Sequence, residues 1–249
     1  MPSEVSTSVD PSRAPRALPV ALGLHGLWQP VATLRALSVA LVEGWSTSAD
    51  GDRLALARSI EGETVRLREV AEDLTTLGLL EGGSYTPLLR SEPVIEVLRD
   101  AAGSVDELGG RLRVHAAPEV AHASVRTDRG RLLQVLKTVL RHADRTSREE
   151  TNVVMRAVPD TSMSGETGGD GVRFGVEFVG DDVARSGTPF DLPEGMGANG
   201  GNGGNGGSRL GLYLSRRLIE AQGGRVDAWS EEERCALGVV LPRAEGDVP

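Results

Sequence analysis

Two segments of this chain carry residue types that can do chemistry. The first is HGLWQP, residues 25–30, in which His25 is followed four residues later by the amide of Gln29 and then by Pro30. Imidazole titrates near neutral pH and can serve as base, ligand or nucleophile. A lone histidine on a helix is more often a surface or packed residue, so the type alone decides nothing. The second is GSRLGLYLSRR, beginning at Gly207 and leading into a helix-like run. A lone glycine-rich turn is weak evidence for a phosphate site. His115 and His122 lie in or beside strand-like segments and read as structural residues. The single cysteine, Cys235, excludes an intrachain disulfide framework and a multi-cysteine zinc site.

The elements that must position these residues fall into two patterns. Residues 1–18, rich in Ser, Pro and Arg, read as a disordered lead-in. From Pro19 to Gly83 the period is helical. Leu24, Leu27, Val31, Leu34 and Leu41 make one stripe, and Ile60, Leu67, Val70, Leu74 and Leu77 make another. The turn formers of WSTSADGD, residues 45–52, separate the two runs. Two amphipathic helices with a short connection form a hairpin that cannot bury both stripes alone. Dimerisation into a four-helix bundle is the physical solution.

After Gly82-Gly83 the pattern becomes mixed. Residues 93–102 read as a helix, and Asp128 is placed to cap a second helix reaching about Ser147. Alternation predicts strands at 111–115, 123–127, 152–158, 172–179, 225–230 and 236–242. A helix over 209–222 closes at Gly223-Gly224. Between residues 195 and 207 the chain is almost all Gly and Asn, which predicts a flexible loop.

Taken together, these segments resemble a known family. HGLWQP resembles the histidine box of sensor histidine kinases, H-[ED]-x-x-[TN]-P-[LV], through His25, Leu27, Pro30 and Val31. RGRLLQVLKTVLRHADRTS, from Arg129, resembles the asparagine-box helix. GSRLGLYLSRRLIEAQGGRVDAWSE resembles the second glycine box and its helix, and ALGVVLP resembles the final strand. The likeness spans about residues 18–243, with the boxes in the family's order. It implies an α+β protein in which a helical hairpin, residues 19–83, forms a dimeric four-helix bundle. An α/β sandwich of the histidine kinase ATPase (GHKL) type, residues 84–249, follows it, with the Gly/Asn-rich stretch 195–207 as its lid.

The resemblance also assigns roles. His25 is the phospho-acceptor, and Gln29 stands where the family orients water for dephosphorylating its regulator. Gly26 replaces the acidic residue thought to assist autophosphorylation and cannot act as a base. The nucleotide-site positions are altered as well. His142 replaces the asparagine that holds magnesium, a hard ion that imidazole serves poorly, and Thr138 replaces the preceding asparagine. The first glycine box falls on residues 178–183. There Phe178 replaces the aspartate that anchors adenine, Gly180 is retained, and Asp182 replaces the second glycine. In the second glycine box Gly207 and Gly211 are kept, but Arg209 replaces the central glycine. Its guanidinium either holds a phosphate or plugs the helix N-terminus.

The expected function is therefore two-component signalling: phosphotransfer or regulator dephosphorylation through His25, with ATP and Mg bound weakly at most. Two other readings stay open, an ATP-dependent autophosphorylating histidine kinase and a non-catalytic dimeric interaction module. The expected partners are a second copy of the chain, through residues 19–83, and a response-regulator receiver domain. A net charge of −9 in 249 residues argues against a sequence-independent nucleic-acid binder. No apolar run is long enough for membrane insertion, and the N-terminus lacks a basic region before an apolar one, so a cytoplasmic location is expected.

Overall fold

The computed structural model describes residues 17–161, 171–180, 189–191, 206–231 and 233–244, with side chains except at 17–25, 106–107 and 206–209. The chain divides into two compact units, one ending at Leu74 and the other beginning at Thr75.

The first unit contains α1 (Ala17–Glu43) and most of α2 (Asp50–Glu81). On α1, Pro30 is buried, while Leu27, Leu34, Leu37 and Leu41 are half-buried. At 100° per residue these five positions form one stripe. Val31, expected on that stripe, is exposed instead. It stands about 100° from Pro30 around the helix, outside the covered sector. On α2 the expected residues Ile60, Leu67, Val70, Leu74 and Leu77 are all buried or half-buried. Pro30 lies inside α1 and has no N–H to give the Gly26 carbonyl one turn earlier. In the connection, the Arg53 guanidinium lies 5.2 Å from the Trp45 ring centre and also meets Asp50, which fixes the start of α2.

The second unit holds the rest of α2, then β1 (Arg90–Pro93), α3 (Val94–Gly103), β2 (Leu112–Ala116), α4 (Pro118–Ala121), β3 (Ser124–Thr127), α5 (Arg129–Thr146), β4 (Val153–Asp160), β5 (Gly171–Val179), α6 (Gly206–Glu220), β6 (Arg225–Glu231) and β7 (Arg234–Pro242). A short 3-10 turn, Asp106–Arg111, leads into β2. β2, β4, β5, β7 and β6 form one mixed sheet in that order, and β1 pairs with β3 separately. Only the β2–β4 pair of the large sheet is parallel.

Alternation explains the core. Val172, Phe174, Val176 and Phe178 of β5 are buried, as are Val153, Met155 and Ala157 of β4 and Leu237, Val239 and Leu241 of β7. Against them lie the apolar sides of α5 (Leu132, Val135, Leu136, Val139, Leu140) and α6 (Leu210, Leu214, Leu218). The Asp128 carboxylate caps α5 by accepting from the Arg131 N–H at 3.2 Å. Just past the end of α6, Gly223 has a φ of +78°, one that side-chain-bearing residues avoid, and the Gly224 N–H closes onto the Ile219 carbonyl. Every strand and helix expected beyond Gly83 forms. β1 and α4 are additional to that expectation, and α6 starts at Gly206, three residues earlier than expected.

Residues 1–16 of the expected lead-in, 195–205 of the expected lid, and Asp182 lie outside the described residues.

Candidate functional site

In the first unit, position 25 lies on α1, the helix expected to carry the phospho-acceptor. The His25 side chain is outside the described ones, but its position shares a helix face with Gln29, Ala32 and Ala36, all exposed. That face is opposite the stripe of Pro30, Leu34, Leu37 and Leu41. Gly26 is buried and brings no acid. The arrangement offers an accessible helix face with an amide one turn after the histidine. It offers no general base at position 26.

In the second unit, the nucleotide-site positions gather around the C-terminal half of α5, which packs on α6 and on β5. The Thr138 hydroxyl donates to the Gln134 carbonyl of its own helix at 2.9 Å. His142 is half-buried. Burial, with a smaller contribution from the Arg145 charge, lowers its pKa to about 4, so the imidazole is neutral at physiological pH. Phe178 is 3% exposed and stands opposite Cys235 in the β5–β7 register. Gly180 comes so near the end of α5 that a Cβ there would lie 2.3 Å from the Thr146 carbonyl oxygen. Its N–H donates to the Glu233 carbonyl, and Arg148 and Glu233 form a two-pronged ion pair at 2.7–2.8 Å beside it. Gly211 is buried, and its carbonyl accepts from the Ser215 hydroxyl at 2.8 Å. Gly207 and Arg209 belong to the first turns of α6, and the Arg209 side chain is outside those described.

The residues at the positions that the resemblance assigns to the nucleotide do not fit a magnesium nucleotide. In place of the asparagine that holds the ion stands a neutral imidazole, a nitrogen donor. In place of the aspartate that anchors adenine stands a buried phenyl ring. Among the described residues no group of three His, Cys, Asp or Glu side chains could hold a metal.

His142 gives a pH prediction. A histidine whose folded pKa lies below its unfolded value of about 6.5 stabilises the fold above that pH and ceases to do so as pH falls toward 4. The expected loss on this account is about 2 kcal/mol by pH 5. Urea melts between pH 7 and 5 should show His142→Gln losing less stability than the parent over that interval. Parallel slopes would remove His142 from the explanation.

Two contacts carry structure that the sequence did not announce. Gln222, buried, accepts from the Thr127 hydroxyl at 2.7 Å and the Asp128 N–H at 2.8 Å, and donates to the Leu218 carbonyl. Asp128 in turn accepts from the Leu88 N–H at 3.1 Å. The end of α6, the start of α5 and the segment after α2 are thus joined through two side chains. Arg145 lies exposed in the last turn of α5.

No protein-family model matches the sequence, and no curated protein matches it. Solved structures do. The Acinetobacter baumannii histidine kinase AdeS aligns with a TM-score of 0.61 at 16% identity, over 88% of this chain and 97% of AdeS. Full-length ShkA in complex with AMPPNP aligns with a TM-score of 0.56 at 21% identity, over 91% of this chain and 46% of ShkA. The fold is therefore similar to that of these histidine kinases, a helical region followed by an α/β unit built on a mixed sheet. Among the described residues no helix is long and apolar enough to cross a membrane.

Proposed function

We propose that this chain is a two-component signalling protein that exchanges phosphate with a receiver domain through His25, and that its ATPase-type unit does not drive the reaction. The observation that carries this reading is a contrast. The α1 face bearing position 25 is open, whereas the adenine and metal positions hold a core phenylalanine and a neutral, half-buried imidazole. In the exchange, the P–O bond of the receiver's aspartyl phosphate breaks and its electron pair stays on the carboxylate. The lone pair of an imidazole nitrogen forms the P–N bond, and the proton on the other ring nitrogen remains. The reverse step returns the phosphoryl group. Neither direction needs an acid at position 26, because transfer between bound partners rests mainly on positioning. The exposed Gln29 amide is suited to orienting a water for dephosphorylating the receiver. The protein acts as a homodimer through residues 19–83, in the cytoplasm with its regulator.

The test uses purified protein with labelled ATP, or with a receiver phosphorylated by labelled acetyl phosphate. Label is expected from the receiver and not from ATP. Labelling from ATP alone would replace this reading with the autokinase, and no labelling from any receiver would favour the interaction module. Calorimetry should correspondingly show no magnesium-dependent ATP binding tighter than about 1 mM. His142→Asn alone should not create autophosphorylation, since Phe178 and Gly26 remain.

A further inference from the structure

α2 does not end where the two compact units part. They divide between Leu74 and Thr75, inside the helix, so about its last two turns, to Glu81, lie in the second unit. Those turns are held there from two elements. Thr76 is 5% exposed and Leu77 2%. The Arg131 guanidinium, from the first turn of α5, donates to the Thr76 hydroxyl at 3.4 Å. It also lies 5.9 Å from the centre of the Tyr85 ring, just past the helix. On α6, Arg217 pairs with Glu81 at 3.6 Å. The exit is closed as well. The N–H groups of Gly82, Gly83 and Ser84 donate to the carbonyls of Gly78, Leu80 and Leu79, and Gly83 has a φ of +67°, the conformation of a helix-ending cap. Four residues on, the Leu88 N–H donates to the Asp128 carboxylate at 3.1 Å.

From these contacts we propose that the end of α2 is a latch that fixes the helix to the second unit, and that the flexible joint of the molecule lies inside α2, before Thr75, and not at Gly82-Gly83. Arg131 closes the latch from α5 and Arg217 from α6. A helix that enters a unit without a break carries its rotation and tilt into that unit, whereas two freely turning glycines absorb both. α5 and α6 bear the asparagine-box and second-glycine-box positions, so a movement of α2 reaches them without slack while the latch is closed. The latch is also releasable. Each arginine has a second partner on its own helix, Gln134 at 3.0 Å from Arg131 and Glu220 at 3.8 Å from Arg217, so opening leaves neither charge unpaired. The proposal needs neither phosphotransfer at His25 nor nucleotide binding.

The experiment uses the full chain with spin labels at Leu79→Cys and Arg99→Cys, two exposed positions of the second unit; the native Cys235 is buried. Dipolar spectroscopy is expected to give one narrow distance. Adding Arg131→Ala and Arg217→Ala together should broaden it. In the unlabelled double variant, the Ser84 and Leu88 amides should exchange about 10-fold faster or more, while those of β5 and β7 keep their rates. Arg217→Ala alone, which removes a partly exposed ion pair, should give a smaller change in the same direction. Gly83→Ala forces a side chain into the left-handed region and should speed the same two amides, and Gly83→Asn, which tolerates that conformation, should restore most of their protection. A broad distance distribution in the parent overturns the proposal and makes the glycine pair the joint. A narrow distance with unchanged exchange in the double variant overturns it by removing the two arginines as the closure. Exchange in Gly83→Ala equal to the parent's overturns the fixed exit.

Discussion

A His25→Ala protein will take up no label from a phosphorylated receiver, while remaining folded and keeping its oligomeric mass. The effect is expected to be complete, because in the proposed transfer the imidazole nitrogen is the nucleophile and a methyl group supplies none. The fold should tolerate the change. Position 25 lies on the α1 face opposite Pro30 and Leu34, and alanine favours a helix more than histidine does. The comparison that gives the result meaning is His142→Ala. That residue sits on α5 in the second unit and takes no part in the proposed transfer, so its removal should leave the transfer rate unchanged. Circular dichroism and light scattering establish that both variants are intact, and the label is then read on each. Label retained on His25→Ala would mean that another side chain is the acceptor. Transfer lost in His142→Ala with the fold intact would mean that the ATPase-type unit takes part after all.

What the sequence made legible follows from how local its signals are. β5 was readable because VRFGVEFV alternates without interruption, and its buried face is the expected one, Val172, Phe174, Val176 and Phe178. The start of α5 was readable because Asp128 stands directly before an apolar-periodic run. β1 was not, because RSEP shows neither alternation nor β-branched residues. It is a strand because β3 pairs with it, from Arg90 opposite Thr127 to Pro93 opposite Ser124. α4 is a single turn of four residues, too short to show a period. Val31 satisfied a spacing of three and four residues, yet it stands about 100° from Pro30 around the helix, outside the covered sector. The Gln222 contact was out of reach, since its partners Thr127 and Asp128 are 95 and 94 residues away in the chain.

The candidate site divides the same way. That positions 138, 142 and 178 depart from a nucleotide-binding pattern was readable residue by residue. What fills the space needed the strand register and the helix packing. Phe178 stands opposite Cys235 and beneath a glycine held against the end of α5, so its ring is part of the core and not only a missing anchor.

That placement makes rebuilding the adenine anchor costly, and Phe178→Asp should be among the most destabilising single changes in the second unit. Removing a fully packed phenylalanine side chain costs about 3–5 kcal/mol through lost burial and an incompletely closed cavity. The new carboxylate adds the cost of placing a polar group where a ring 3% exposed had been. Burial raises the pKa of such a carboxyl above its unfolded value of about 3.9, because the charged form is the one disfavoured. The sign of the pH dependence follows. Below about pH 4 the group is protonated in both states and this part of the penalty is absent; as pH rises toward 7 the unfolded chain ionises more readily than the folded one, and the deficit grows. Thermal melts at pH 5 and pH 7.5 should show Phe178→Asp below the parent at both, by about 10 °C or more at the higher pH, with a wider gap there. Phe178→Leu is the control. It keeps an apolar side chain, should cost about 1 kcal/mol, and should show no added pH dependence. If Phe178→Asp melts with the parent and gains magnesium-dependent ATP binding, position 178 faces a pocket able to take adenine, and the autokinase reading becomes the better account of the ATPase-type unit.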